Sequence, residues 1–367
     1  MIFHNPEITD MFDEIIYIQN ILLNVNELNE KDTFETIKNS FLINSKSYLK
    51  SLLSSIGAAF YSRPLKSNFY FKIINNISEI LKLHFSSKEL LQIFDFYQYK
   101  YLILHMYEIG LINIQSIQYL SIDDSLCFIY FWPEIKKYFP EYFEQQISLS
   151  LYKKDQIERY SEEDHIYYRS FGSNEHPLAL IVRNDDINEF QNIISCSDFD
   201  LNMVMPTSQY EQCEFVFDQT SLIEYSAFFG AEKIFKFLYL NHIPISSKIS
   251  RYAVAGGNTE IIHLIERHEI SFYRCLEIAI EFHQNEVVRY FIENGFLIEA
   301  PALYFCIELY NIECFIDVLK HMLNNGLSKE AYGWALSDSA ALGHADIVES
   351  LLYLPNFDVN QEHLNGV

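Results

Sequence analysis

Glycine and proline are scarce in this chain, 11 and 9 among 367 residues. A β-rich fold needs more turn chemistry than that, so helices are expected to dominate. The six cysteines (127, 196, 213, 275, 306, 314) form no Cys-x-x-Cys pair. That argues against a zinc ribbon or a dithiol redox centre, and for reduced, mostly buried thiols. Gly256-Gly257 is the one glycine pair, and neither Gly-x-Gly-x-x-Gly nor a Walker loop occurs, so a nucleotide cofactor has no support. Bases number 26 against 50 acids, a formal charge of −24. Such a surface repels phosphate backbones, and nucleic acid is not an expected partner. Long apolar runs are missing too. The stretch Leu126-Cys127-Phe128-Ile129-Tyr130-Phe131-Trp132 is too short to span a bilayer. The opening Met1-Ile2-Phe3-His4-Asn5-Pro6-Glu7 has neither the basic nor the apolar region of a secretory leader. The expected location is therefore the cytoplasm or the nucleus, where Asn76-Ile77-Ser78 has no meaning as a glycosylation site.

What is present suits a packed helical protein. Hydrophobic residues make up 49% and aromatics 16%, ample for a core. The length allows two domains, or one domain and an array. The acids are unevenly spread: residues 1–150 hold 17 acids and 12 bases, residues 151–367 hold 33 and 14. This asymmetry favours a basic partner, and it also serves to keep a long array soluble.

Residues 1–165 read as helices without a repeat. Asn5-Pro6 or Thr9 can open the first, with Met11, Phe12, Ile15, Ile16, Ile18 and Leu22 as its apolar stripe. Further helices are expected near Phe34–Ile56 and Phe69–Leu83. Ser86 and Glu89 resemble a capping box opening a long helix that Gly110 stops. Trp132-Pro133 and Phe139-Pro140 interrupt the pattern. Gln156–Asn174 is polar and charged, which places the boundary there.

Residues 166–367 repeat. Aligned on a turn position, six copies centre on Asp185, Gly230, Gly257, His283, Tyr310 and Gly343, spaced 45, 27, 26, 27 and 33 residues apart. The first interval contains a polar insertion, roughly Met203–Thr220. Small or apolar pairs precede each turn, such as Ala253-Val254 and Ala279-Ile280. Apolar pairs follow most of them, such as Ile261-Ile262 and Ile347-Val348. Small residues let two antiparallel helices approach, and the turn between them wants a left-handed residue. One such unit cannot close a core, but a stack can. The expected fold is therefore all-α, a helical solenoid preceded by a helical N-terminal region.

Ala340-Ala341-Leu342-Gly343-His344-Ala345-Asp346-Ile347-Val348 and Phe357-Asp358-Val359-Asn360 resemble ankyrin repeats, as do Pro177-Leu178-Ala179 and Glu293-Asn294-Gly295. The family's Thr-Pro-Leu-His tetrad is intact nowhere, and intervals of 26–27 fall short of the family's period of about 33. The resemblance implies that the missing residues come from the β-hairpin finger between units. Asn184-Asp185-Asp186, Ser221–Gly230 and Ala255–Ile262 look like the shortened repeats of diverged, trichomonad-type protist ankyrin proteins, in which a helical N-terminal region of unknown function precedes the array. Asn360–Val367 resembles the opening of another repeat, left open or truncated.

The resemblance implies binding of a protein along a concave groove, without catalysis. The positions it turns towards that groove include Leu180, Arg183, Tyr225, Phe228, Phe229, Tyr252, Phe282, Phe305 and Leu309, with Phe229 and Tyr252 as the preferred exposed pair. Tighter packing of shortened units would instead bury these rings as core. His344 at its turn is expected to be structural. His263 and His268 lie five apart, not the i, i+4 spacing of a zinc helix, so no metal is expected. Asp123-Asp124 and Glu162-Glu163-Asp164 read as capping or solvated acids. Two alternatives stand beside the groove: residues 1–165 as an adaptor or oligomerisation module with the array as targeting arm, or an enzyme with a site at the junction of the halves, for which no motif speaks.

Overall fold

The computed structural model describes residues 5–195, 199–217, 219–268 and 270–354. The protein is all-α, and among the described residues β structure is limited to an isolated antiparallel bridge between Val204 and Ser221. The phrase 357–360 and the tail 360–367 lie outside the described residues. Packing divides the chain into two compact units. One joins Met1–Lys66 to Ser246–Val367, and the other is Ser67–Ile245. The expected boundary at 165/166 is not where they part. It falls within a helix, Glu162–Arg169, whose His165 and Arg169 are buried.

The first unit begins with α1 (Pro6–Leu23), α2 (Glu30–Asn39) and α3 (Lys46–Ser62). The Asn5 side chain caps α1 by accepting from the Glu7 N–H at 3.0 Å. The expected stripe is buried except Ile16, which is half-buried, and Gln19 joins it. The helix expected over 34–56 is broken. Ser40 turns extended and caps a short 3-10 turn, and Ser45 then caps α3.

The second unit opens with α4 (Ser67–His84), α5 (Ser87–Ile93) and α6 (Phe96–Glu108), followed by α7 (Ile114–Asp123) and α8 (Ser125–Tyr130). The Ser86–Glu89 capping box is present, and Gly110 takes a positive φ of 74°. The single long helix expected after Ser86 is two, because Phe94 and Asp95 are extended and Asp95 caps α6. The unit continues with α9 (Trp132–Tyr138), α10 (Pro140–Leu149), α11 (Leu151–Glu158) and α12 (Glu162–Arg169). Arg169 holds α12 on α8 and α9. It donates to Glu134 at 2.9 and 2.5 Å and to the Tyr130 carbonyl at 2.8 Å. His165 bridges the Tyr130 carbonyl and the Tyr210 hydroxyl, each at 3.0 Å. Burial, helped by the Arg169 charge, pulls the His165 pKa down to about 4, so it is neutral at neutral pH.

Two helix pairs complete this unit: α13 (Pro177–Arg183) with α14 (Ile187–Ser195), and α15 (Leu222–Phe228) with α16 (Glu232–Leu240). First helix stacks on first and second on second. Four more pairs complete the other unit: α17 (Ile249–Gly256) with α18 (Thr259–Glu266), α19 (Cys275–Glu281) with α20 (Asn285–Glu293), α21 (Ala300–Glu308) with α22 (Ile312–Asn325), and α23 (Lys329–Ala341) with α24 (Ala345–Leu352). Their first helices stack in sequence.

All six expected turn positions are left-handed. The φ values are 49° at Asp185, 63° at Gly230, 66° at Gly257, 49° at His283, 51° at Tyr310 and 70° at Gly343. At Tyr310 the backbone closes as a Schellman motif: its N–H bonds the Ile307 carbonyl at 3.2 Å, and that of Asn311 bonds Cys306 at 2.8 Å. A non-glycine residue pays about 1–2 kcal/mol for this conformation. In each of the three such copies the side chain reaches the next pair. Asp185 accepts from the backbone N–H groups of Lys233 and Ile234 at 3.1 and 3.0 Å, at the start of α16. His283 Nε2 meets the Leu309 carbonyl at 3.2 Å. The Tyr310 ring lies 4.6 Å from the His344 ring, and its hydroxyl bonds Asp346. Contacts that glycine could not make offset the strain, and they tie neighbouring pairs together.

Candidate functional site: the faces of the helix-pair array

The seven residues expected to form one binding surface divide between the two units. Arg183, Tyr225, Phe228 and Phe229 belong to one unit, and Tyr252, Phe282 and Phe305 to the other. Arg183, Tyr225, Phe228, Phe229 and Phe282 are buried, while Tyr252 and Phe305 are half-buried. Phe229, expected in the exposed pair, is 7% exposed. Leu180 is exposed and Leu309 half-buried.

The reason lies partly in the insertion between α14 and α15. Expected as polar, it is largely buried: Met205, Tyr210, Cys213 and Val216 join the core, and Glu211 is 1% exposed. Glu211 forms a buried ion pair with Arg183. It also accepts from the Tyr225 hydroxyl at 3.0 Å and from the backbone of Cys213 at 3.1 Å. The Arg183 guanidinium rests 4.3 Å from the Phe229 ring centroid. Burial works against the Arg183 charge, but Glu211, then Tyr225 and Cys213, more than offset it and the pKa is raised. Burial raises the Tyr225 hydroxyl and the Cys213 thiol, and Glu211 adds to both. Lys100 is nearly buried, and burial lowers its pKa to about 8 against the opposing pull of Glu211. An arginine two residues before the turn gave no sequence signal of its distant carboxylate partner.

In the other unit, α1 and α3 lie along the turn row. The Arg63 guanidinium, just after α3, donates to the carbonyls of Phe282 at 2.7 Å and His283 at 3.2 Å. Gln19 Nε2 donates to the Tyr310 carbonyl at 2.6 Å. Lys50 Nζ donates to the carbonyls of Gly343 at 2.9 Å and Leu342 at 3.3 Å. Three successive turns thus receive donors from the first 66 residues. Tyr61 stacks on Phe282 with centroids 5.4 Å apart, and Ser51 donates to Asp346 at 2.8 Å. Phe282 is buried under the chain's own N-terminal segment.

A cleft stays open between first helices α21 and α23. It has a volume of about 260 Å³ and is lined by Ala300, Pro301, Leu303, Tyr304, Ala331, Trp334, Ala335 and Asp338. Trp334 is 59% exposed and Tyr304 39%. Neither was expected as a site residue. The available signal was Trp334 itself, set off the face that Ala331 and Ala335 bury.

His263 is exposed on α18 and meets Glu266 at 3.0 Å. His344 is buried against Tyr310, and burial lowers its pKa to about 4. Asp124 caps α8, and Glu162, Glu163 and Asp164 form the first turn of α12. Among the described residues no group of three or more His, Cys, Asp or Glu could hold a metal, and no helix is long and apolar enough to cross a membrane. A family model described as "Domain of unknown function (DUF3447)" matches residues 241–318, the stretch that holds α17 to α20, α21 and the first half of α22. No curated protein and no solved structure matches the chain.

Proposed function

We propose that this chain is a non-enzymatic interaction protein, an ankyrin-like array that holds a protein partner against the exposed face of its first helices. The reading is carried by the α21–α23 cleft, where a tryptophan and a tyrosine stand open on neighbouring first helices. Exposed aromatics beside small residues are the usual anchors of a protein interface. The six left-handed turns at the aligned positions support the ankyrin-like part of the reading. The acidic excess favours a basic partner, whose encounter it would accelerate. A cytoplasmic or nuclear location fits the free, buried thiols of Cys127, Cys213, Cys275, Cys306 and Cys314.

The turn row is not the docking face in this reading, because α1 and α3 already occupy it. That placement also supports counting Pro6–Ser62 with the array rather than as a separate adaptor. The test is site-specific photo-crosslinking in the full chain, with a photoreactive residue in place of Trp334, Tyr304 or, as a control, Leu83, which is 83% exposed in the other unit. A discrete protein adduct from 334 and 304 but not from 83 is expected. Equal adducts from all three, or none from any, would sink the reading.

A further inference from the structure

Resting on that reading, we propose that the α21–α23 cleft is a receptor for one cationic side chain, lysine or arginine, presented by the protein partner. The floor is low because Ala300, Ala331 and Ala335 carry only a methyl group where a larger residue would fill the space. Tyr304 and Trp334 form its aromatic walls. Glu308 follows Tyr304 by one turn of α21, and burial together with that carboxylate raises the Tyr304 hydroxyl pKa. Asp338 follows Trp334 by one turn of α23 and lines the same cleft, close enough for its charge to act on Tyr304.

Asp338 forms no ion pair among the described residues. Burial raises its carboxyl pKa, so the carboxylate is held there at a cost that a cation would remove. Electron-rich ring faces and a half-buried carboxylate attract the same ligand chemistry. The surroundings carry the same sign. Glu299 immediately precedes α21, Glu308 lies on it, and Glu330 is in the first turn of α23, while Lys329 is the lone base on the two helices. An anionic or purely apolar side chain would leave Asp338 uncompensated.

The probe is a fluorescently labelled peptide of alternating glycine and arginine, with its citrulline counterpart as a neutral copy of the same shape, titrated into the full chain by anisotropy. The arginine peptide should bind and the citrulline peptide should bind about tenfold more weakly or worse. Trp334→Ala and Asp338→Asn should each weaken the arginine peptide by about tenfold. Glu162→Gln with Glu163→Gln, which removes exposed charge on α12, should not change it. Circular dichroism of each variant verifies that helix content is unchanged. Equal affinity for the two peptides would overturn the proposal, as would Trp334→Ala and Asp338→Asn variants that bind like the parent. If crosslinking from position 334 persists while the peptide fails, the cation assignment falls and the interaction reading stands. If both fail, both fall.

Discussion

Gly257→Ala should destabilise the protein more than the same change at Gly295, although both glycines end helices with positive φ in the same unit. Gly257 sits at φ 66° and Gly295 at φ 74°. Placing a side chain in this region costs about 1–2 kcal/mol, offset by several tenths because alanine restricts the unfolded chain. At Gly295 nothing lies within 4 Å of the added Cβ, so the net cost is about 1 kcal/mol. At Gly257 the Cβ would lie 2.4 Å from Gln284 Oε1 and 2.5 Å from its Cδ and Nε2. Gln284 must swing away, breaking its 2.9 Å hydrogen bond to the Ala255 carbonyl. That adds about 1 kcal/mol, for a total near 2. The free energy of opening can be read from urea-dependent labelling of Cys275 and Cys306, both buried in this unit. In a Gln284→Ala background the Gly257→Ala penalty should fall to that of Gly295→Ala, because the clashing side chain is gone. A Gly257→Ala cost no larger than Gly295→Ala, or no relief in that background, would refute the argument that the turn column packs through Gln284.

Two further outcomes follow from buried polar groups. Gln19→Leu leaves the Tyr310 carbonyl without the donor it has at 2.6 Å, which should cost about 1–3 kcal/mol and speed labelling of the buried Cys314 two residues into α22. Burial lowers the Lys100 pKa to about 8 in the folded chain, against the ordinary lysine value of 10.5 in the unfolded one. Between those values the unfolded chain holds a proton that the folded chain has released, so stability rises with pH. From pH 7 to 9.5 the gain should be about 2 kcal/mol relative to a Lys100→Met variant, read as the difference in their urea midpoints. A difference that stays flat would show that the amine keeps its ordinary pKa.

The repeat was legible because its physics is local. A left-handed turn between two short helices leaves small residues before it and an apolar pair after it, whichever residue fills the turn. Hence Asp185, His283 and Tyr310 could be aligned with three glycines, and all six are left-handed. The helix breaks at Ser40 and Asp95 were less visible, because a polar residue between apolar ones looks the same within a helix and at its cap. The burial of the expected face was misjudged for a different reason. Whether Phe229 or Phe282 meets solvent depends on what else packs there, and their neighbours are Arg183 and Tyr61, 46 and 221 positions away. Periodicity along the chain carries no information about such contacts.

The same distance explains the role of the first helices. Left-handed turns leave carbonyls pointing out of the array, and a row of them without donors would be costly wherever it is buried. Arg63, Gln19 and Lys50 supply those donors from 219 to 293 residues away in sequence. The second, third and fourth turns of this unit are therefore completed by the start of the chain, so α1 and α3 belong to the array's own core. Closure of the unit must await residues as late as Gly343, a folding step dominated by non-local contacts and correspondingly slow. Because the turn row serves this purpose, the proposed docking requires a face where side chains are not committed to such a task. In this unit the exposed Trp334 and Tyr304, whose rings no distant segment of the described chain covers as Tyr61 covers Phe282, meet that condition.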